Sequence, residues 1–277
     1  MPTRLITPPV AYPLHLDQVR QHLREDLSEN DGLLEIYLAK AIEKAFAVTG
    51  RQLVAARYQA VFDSLPCLLQ LDVAPLIQVV GVQYLDANSQ WQSVAAGDFM
   101  VEASFTPRLI HNLGVAWPVP QRQIGSVRVT FDAGYVAYMV ADRSNDTIKL
   151  HGWKDLVVGD VLRLSNSGGA LPKPLKRKTN YYVQAVIAPG TYKLSETNGG
   201  AAIALTDNGA GYNYAGQIGQ SEGDGYGEIP GGLLAWLLLE VETLNSFRGN
   251  LINTPASTIS KNPFADNLLD PYRMSFL

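Results

Sequence analysis

The spacing of apolar residues changes twice along this chain of 277 residues, and each change predicts a change of secondary structure. Residues 14–24 and 31–50 carry apolar side chains three and four positions apart, which is the spacing of helices. Residues 53–131 instead alternate or form short apolar runs, which is typical of strands. Helical spacing returns at residues 233–247. The sequence therefore predicts a helical hairpin, a β-rich middle segment and a third helix.

The second helix also has signals at both ends. Asp31 is a residue type that caps helix N-termini, because its side-chain oxygen accepts bonds from free backbone N–H groups. Gly50 suits the left-handed residue with which many helices end. We therefore expect a helix bounded by these two residues.

Residues 141–220 are predicted to form a separate β module, inserted between the middle segment and the third helix. Turn residues come often here, and the candidate strands between them are short and nearly regularly spaced. That pattern is typical of a small antiparallel sandwich or barrel. A basic cluster at residues 173–178 is better explained as a solvated loop than as an anion site. The candidate strands are residues 147–150, 161–165, 181–187, 191–195 and 202–205.

The third helix begins with residues 233–239, which are apolar on almost every side. A helix of that kind has to be buried. A Gly-rich, acidic linker at residues 219–232 precedes it, and Pro230 suits its first turn. We expect the helix to be covered by the N-terminal helices and by a neighbouring copy of the chain. The leucines predicted to take part in this burial are Leu233, Leu234, Leu237 and Leu238.

Residues 250–277 form a tail that prolines interrupt repeatedly. The tail nevertheless contains many large apolar side chains, which a solvated, disordered segment does not need. We therefore expect it to dock, either on its own subunit or on a partner.

Together these segments predict an α+β fold. Its helical core consists of the N-terminal helix hairpin and the C-terminal helix, and it carries a β-rich middle segment and an inserted small antiparallel β-sandwich or barrel. The predicted parts are a first core segment at 1–140, the inserted module at 141–220, the linker and core helix at 221–250, and an extended docking arm at 251–277.

The composition limits the classes of function. The net charge is −4 and the isoelectric point is about 5.6. Proteins that grip nucleic acid tightly usually have a basic surplus, so sequence-specific binding is not expected. DNA can still slide past a like-charged surface without sticking to it.

Features of secreted and membrane proteins are not visible in the sequence. Cys67 is the only cysteine, which excludes an intramolecular disulfide, and its apolar surroundings predict a buried structural thiol. The N-terminus lacks the continuous apolar stretch of a signal peptide. The longest apolar run, residues 233–239, is too short to span a membrane. We expect a soluble protein that is made in a cytoplasm and does not contact a membrane.

Reactive side chains do not form a recognisable catalytic, metal or cofactor site. The four histidines form no His-x-x-x-His or His-Glu-x-x-His pair. Residues 219–223 match the Gly-x-Ser-x-Gly pattern of a nucleophilic serine. Ser221, however, lacks the preceding strand and the following helix that this motif requires. The sequence therefore predicts a protein that is not an enzyme.

Several segments occur in an order that resembles one family. They are Pro13-Leu-His-Leu-Asp-Gln-Val-Arg-Gln-His-Leu-Arg-Glu, Asp31-Gly-Leu-Leu and Val48-Thr-Gly-Arg51, then Val127-Arg-Val-Thr-Phe-Asp-Ala-Gly-Tyr135, and finally Leu268-Leu-Asp-Pro-Tyr-Arg273. In this order they resemble the head–tail connector proteins of tailed bacteriophages, which are also called adaptor or head-completion proteins. The likeness covers residues 5–135 and 226–275, and the module at 141–220 departs from it.

The resemblance implies a structural protein of the virion neck. Such proteins form a homo-oligomeric ring, typically a dodecamer, that docks under the portal protein, continues the DNA channel and receives a tail or stopper protein. Genomic DNA would pass without sequence specificity, and the chain would be made in the host cytoplasm. The tail residues expected to contact the portal or the next ring are Phe264, Leu268, Leu269, Tyr272 and Arg273.

Two other classes of function stay open. The inserted module suits a virion protein that binds a receptor or a carbohydrate, and glycan binding by the isolated residues 141–220 would support that alternative. The other alternative is a hydrolase that acts through Ser221. Absence of esterase activity in the unaltered chain would exclude it.

Overall fold

The computed structural model of the chain describes residues 3–25, 28–103, 106–218, 227–246 and 267–274. These ranges contain three α-helices, namely α1 (Leu16–Leu23), α2 (Asp31–Thr49) and α3 (Gly231–Ser246). None of the three has the length and apolar content that crossing a membrane requires. The strands in the same ranges are β1 (Thr3–Thr7), β2 (Ala56–Phe62), β3 (Leu68–Gln70), β4 (Leu76–Leu85), β5 (Trp91–Val94), β6 (Phe99–Glu102), β7 (Arg108–His111), β8 (Val127–Ala133), β9 (Ala137–Asp142), β10 (Thr147–His151), β11 (Val161–Ala170), β12 (Asn180–Ala188), β13 (Thr191–Ser195) and β14 (Ala210–Gln217).

Strands dominate the fold, with 38% of the structure in strands and 22% in helices. The predicted α+β fold, a helical core with a β insertion, is therefore wrong, and the protein is mostly β with three helices. The physical reason is the distribution of buried residues. The described residues form separate apolar cores, and only one of these surrounds the helices. The other two lie between sheets and inside a barrel.

The ends of α2 give one wrong and one confirmed prediction. Asn30, not Asp31, stands at the N-cap, and Asp31 is the first residue of the helix. The Asp31 carboxylate instead accepts hydrogen bonds from Arg20 of α1, which ties the two helices of the hairpin together. At the other end, Gly50 has a φ of 68° and its N–H donates to Phe46 O at 2.7 Å. This left-handed geometry ends the helix, as the sequence predicts.

The β-rich middle segment forms two sheets that pack on each other. One sheet has the strand order β1-β2-β8-β4-β5, and the other has the order β3-β7-β6. Strand β2 buries every second residue, and its inner face shares a core with Leu69 and Leu109 of the smaller sheet. On the opposite face, Arg57 and Gln78 both donate to the Asp132 carboxylate of β8, at 2.7 and 2.8 Å.

Cys67 is exposed, so the predicted buried thiol is wrong. The residue lies in a bend ahead of β3, where the chain has not yet entered the sheet. Leu69 and Leu71, which follow it, are fully buried. The apolar run at residues 65–71 is thus buried only toward its end.

Residues 137–217 contain a closed barrel with the strand order β10-β13-β12-β11-β14-β9. Strand β9 pairs with both β10 and β14, which closes the barrel. Four of the five strands predicted in this region are confirmed, with changed bounds for three of them. Residues 202–205 form no strand, and the N–H of Leu205 instead donates to the Asp146 side chain at 2.7 Å. Large buried side chains fill the barrel, among them Met139, Leu162, Leu164, Tyr181 and Tyr192.

The chain passes from β8 to β9 through residues 134–136, which cross residues 53–55 closely. The N–H of Ala55 donates to Val136 O at 2.8 Å. Gly134 has a φ of 150°, and a Cβ atom there would lie 2.7 Å from the Cα and N atoms of Ala55. Only glycine permits such an approach, because it has no Cβ atom. The position of the barrel beside the sheet therefore depends on this glycine.

Replacing Gly134 with alanine is expected to lower the free energy of unfolding by roughly 1–3 kcal/mol, because the two backbones have to move apart. The matched control is Gly97→Ala, since a Cβ atom at Gly97 meets nothing within 4 Å. The control is expected to change stability by less than about 0.5 kcal/mol. Urea unfolding of both variants measures the difference, and equal stabilities would contradict the role given to Gly134.

Candidate assembly surfaces

The four leucines predicted for burial lie on α3 in two environments. Leu233 and Leu237 are fully buried in the core that α3 forms with α1 and α2. Leu234 and Leu238 are partly buried and pack against that core. The subunit therefore covers much of this apolar helix by itself. Contact of these leucines with a neighbouring copy stays a prediction.

Polar contacts fix α3 against the hairpin. Lys44 of α2 forms an ion pair with Glu240 at 2.7 Å, and its ammonium nitrogen lies 5.4 Å from the centre of the Trp236 ring. His22 of α1 lies 3.2 Å from the Glu242 carboxylate. These contacts hold α1, α2 and α3 in one arrangement. They therefore also determine which side chains of the three helices face the outside of the subunit.

Residues 267–274 dock on their own subunit. Leu269 is 2% exposed and belongs to the helical core. Arg51 is also buried, and its Nε donates to Tyr272 O at 3.0 Å. The Tyr272 ring lies beside Gly232 at the start of α3, where a Cβ atom would come within 3.1 Å of the phenol oxygen. This segment of the tail therefore joins the end of α2 to the start of α3.

The five tail residues predicted to contact a partner lie in different places. Phe264 is outside the described residues, and Leu269 is buried in the helical core of its own subunit. Leu268 and Tyr272 are partly buried against the helical core. Arg273 is exposed and pairs with an aspartate one turn earlier, at 2.9 Å. Partner contacts through the tail stay a prediction.

An apolar groove of about 540 Å³ opens between α2, β1 and the tail segment, and we call it the α2–β1 groove. Its walls include Leu5 of β1, Phe46 and Val48 of α2, and Met274. Leu5 and Val48 are 49% and 38% exposed, although both are large apolar side chains. The volume falls within the range of roughly 300–1,000 Å³ that is typical of binding pockets. The groove is therefore a candidate binding surface.

The polar groups that line the groove are few. Tyr58 donates to Gln52 Oε1 at 2.7 Å, and burial, together with the nearby Asp72 carboxylate, raises the pKa of its phenol. Asp72 accepts a hydrogen bond from Thr3 Oγ1 at 2.6 Å. Glu43 is the other charged residue among the described lining residues. Because both charged groups are acidic, the groove suits an apolar ligand that carries a positive charge.

The segment at residues 112–125, which we call the 112–125 loop, joins β7 to β8 and exposes large aliphatic side chains. The ring of Trp117 nevertheless packs against Phe99, with ring centres 6.3 Å apart, and so holds the loop to the small sheet. The sequence predicts no role for this loop. Its sequence contains aliphatic residues between glycines and prolines, and these residues lack the spacing that predicts a helix or a strand. The exposed side chains are Leu113 (99%), Val119 (87%) and Ile124 (92%).

The barrel is bound to the helical hairpin. The phenol of Tyr214 in β14 donates to Tyr12 O, and burial raises the pKa of this phenol. Ser167 in β11 accepts a hydrogen bond from the N–H of His15 and donates to Gln18 Oε1, each at 2.7 Å. The barrel is therefore attached to the helices by specific hydrogen bonds as well as by the chain connections.

The barrel interior offers little space for a ligand. The gap bordered by Ile148 and Leu194 is too small to admit a water molecule. Outside the barrel, Lys173 of the basic cluster is exposed and lies 3.9 Å from Asp207. A receptor or carbohydrate that binds this module, as the alternative prediction requires, would have to use the outer surface.

The described residues contain no group of three or more His, Cys, Asp or Glu side chains that is placed to hold a metal ion. The histidines are dispersed, with His15 and His22 at α1, His111 in β7 and His151 in β10. Ser221, the candidate nucleophile, lies outside the described residues. The predicted absence of an enzymatic function stays a prediction.

Comparison with known proteins gives a likeness in structure only. No family model matches the sequence, and no curated protein matches it. The similar solved structures include a chain in the virion of the native gene transfer agent (GTA) particle (TM-score 0.57, 16% identity), a chain in the neck of the native GTA particle computed with C12 symmetry (TM-score 0.55, 14% identity) and a chain in the neck of the empty GTA particle computed with C6 symmetry (TM-score 0.54, 14% identity).

Each of these alignments covers 100% of this chain and 97% of the other chain. The likeness therefore includes the sheets, the barrel and the helices together. At 14–16% identity it establishes the fold. The chain shares the fold of a virion protein. More particularly, it shares the fold of a chain found in the necks of GTA particles.

Replacing Leu269 with alanine is expected to lower the free energy of unfolding by about 2–5 kcal/mol, because the change leaves a cavity in the helical core. Leu113→Ala is the matched control, since that leucine is almost completely exposed and its loss is expected to cost less than about 0.5 kcal/mol. Urea unfolding measures both variants. A Leu269→Ala chain as stable as the control would mean that the tail segment does not dock on its own subunit.

Proposed function

We propose that this chain is a structural protein of a virion neck. In this role, copies of the chain form a ring, a dodecamer, that joins the portal protein to the tail or to the next neck protein and continues the DNA channel. The observation that carries the proposal is the fold shared with GTA neck chains over the full length of this chain. The order of the sequence motifs that resemble head–tail connectors supports the same role.

The charge of the chain is compatible with a channel. A net charge of −4 per subunit gives DNA no strong attraction to the ring as a whole. DNA that has to move through a channel is better served by weak contacts than by specific ones. We therefore propose that the genomic DNA passes without sequence-specific binding.

The parts of the chain have different tasks in this proposal. Residues 1–140 and 221–250 form the ring body, because they carry the two sheets and the three helices. The module at 141–220 decorates the ring or contacts a neighbour from its position beside the hairpin. The arm at 251–277 contacts the portal or the next ring, and Arg273 is the most exposed of its predicted contacts within the described residues.

Electron microscopy of the chain mixed with its portal protein tests the ring. We expect a ring of this chain on one face of the portal, with the central channel continuing through both. The chain without portal is the control, because many assembly proteins oligomerise only on a template. A particle image in which the chain lies outside the neck would contradict the proposal.

Replacing Arg273 with glutamate tests the docking arm. We expect binding to the portal to weaken at least about tenfold, because the change reverses an exposed charge at the contact. Arg177→Glu is the matched control, since Arg177 is exposed in the basic cluster of the barrel module. Equal portal binding by both variants, measured by surface plasmon resonance, would assign no role to Arg273.

A further inference from the structure

We propose that the 112–125 loop of one copy inserts into the α2–β1 groove of the next copy, and that this is the repeated contact of the ring. The inference rests on the proposed ring and goes further by naming its two surfaces. It joins the exposed aliphatic side chains of the loop to the apolar walls of the groove. A cyclic ring needs this kind of contact, in which two different surfaces of the same chain meet.

Hydrogen bonds hold the backbone of the loop in place while its aliphatic side chains stay exposed. The three exposed aliphatic residues are Leu113, Val119 and Ile124. Each lies within two positions of a backbone N–H that donates a hydrogen bond to another part of the subunit. The N–H of Asn112 donates to Asp98 O at 2.9 Å, and that of Gln121 donates to Leu85 O at 2.8 Å. The N–H of Gly125 donates to Asp63 Oδ1 at 2.7 Å. The loop is therefore pre-organised, which lowers the entropy that binding would cost.

The same anchors prevent the loop from filling the groove of its own subunit. Asp63 follows the C-terminal end of β2, whereas the groove is lined by Gln52 ahead of β2 and by Tyr58 within it. Five residues of extended strand, at about 3.3 Å each, separate Tyr58 from Asp63. Leu85 lies on β4, two strands beyond β2 and away from β1. A loop tied at both places meets the groove of another copy, not its own.

Charge favours the same pairing. Arg122 is exposed and is the only charged residue between positions 112 and 125. The charged side chains among the described groove residues are Glu43 and Asp72, and both are acidic. A loop with one positive charge and three exposed aliphatic side chains thus complements an apolar groove with acidic groups. Opposite charges across an interface fix its register and exclude wrong partners.

The test uses two double variants of the full chain. The loop variant is Leu113→Asp with Val119→Asp, and the groove variant is Leu5→Asp with Val48→Asp. All four positions are exposed in the subunit, so the variants are expected to fold. The matched control is Val157→Asp with Val158→Asp, which changes two aliphatic residues outside the proposed contact whose exposure, 66% and 60%, lies between that of the loop pair and that of the groove pair. Thermal unfolding of each isolated chain confirms that its stability is kept.

The measurement is the number of copies bound to each portal, by native mass spectrometry and electron microscopy. We expect complete rings from the unaltered chain and from the control, and at least tenfold fewer rings from either double variant.

A one-to-one mixture of the loop and groove variants keeps one intact contact, in which the loop of the groove variant meets the groove of the loop variant. That mixture is expected to give pairs of chains but no closed rings.

The other outcomes distinguish this inference from the proposed function. Complete rings from both double variants would overturn the loop–groove contact and leave the ring itself standing. A defect in the loop variant alone would mean that the loop binds the portal or another protein. A defect in the groove variant alone would mean that something other than the 112–125 loop occupies the groove, which would overturn the contact. Absence of rings from the unaltered chain would overturn the proposed function together with this contact.

Discussion

The close crossing of residues 134–136 over residues 53–55 determines how the parts of this protein are arranged. Leu53 and Tyr135 belong to the core around the helices, while the backbone at the same place continues β8 of the sheet into β9 of the barrel. A single crossing thus connects the sheet, the barrel and the helices. It requires glycine at position 134, because any Cβ atom there would collide with the backbone of Ala55.

The barrel also leaves the chain close to where it enters. Strand β9, which begins the barrel, pairs with β14, which ends it. Beyond β14, Gly227 lies so close to Gly216 that a Cβ atom on Gly216 would come within 2.6 Å of it. The helix α3 starts at Gly231, shortly after this contact. Because entry and exit are neighbours, a whole barrel fits between them while α3 still completes the core that α1 and α2 begin.

The sequence predicts the elements whose apolar side chains repeat regularly, and it misses those held mainly by backbone pairing. The helices α2 and α3 lie close to the predicted ranges, because each buries an apolar stripe in the helical core. Strand β1 was not predicted, since most of its residues are exposed at the edge of the sheet. Strand β14 was missed because its buried residues include polar ones, such as Asn213, which accepts a hydrogen bond from Asn166 at 2.8 Å. Missing such strands is why the predicted fold contained too little β-structure.

The candidate surfaces were less predictable than the elements, because they are made by residues far apart in sequence. Only the folded chain brings Leu5 of β1 beside Val48 of α2. The longest apolar run of the sequence lies in α3 and predicted that this helix needs a neighbouring copy to cover it. Leu233 and Leu237 are nevertheless buried within the subunit. Exposed apolar side chains occur at several places on the described surface, and the 112–125 loop and the α2–β1 groove are two of them. A ring with heterologous contacts needs two different, complementary surfaces on every subunit. In the proposed ring, the 112–125 loop and the α2–β1 groove supply this pair, so the contact does not need the two leucines of α3 that are already buried within the subunit.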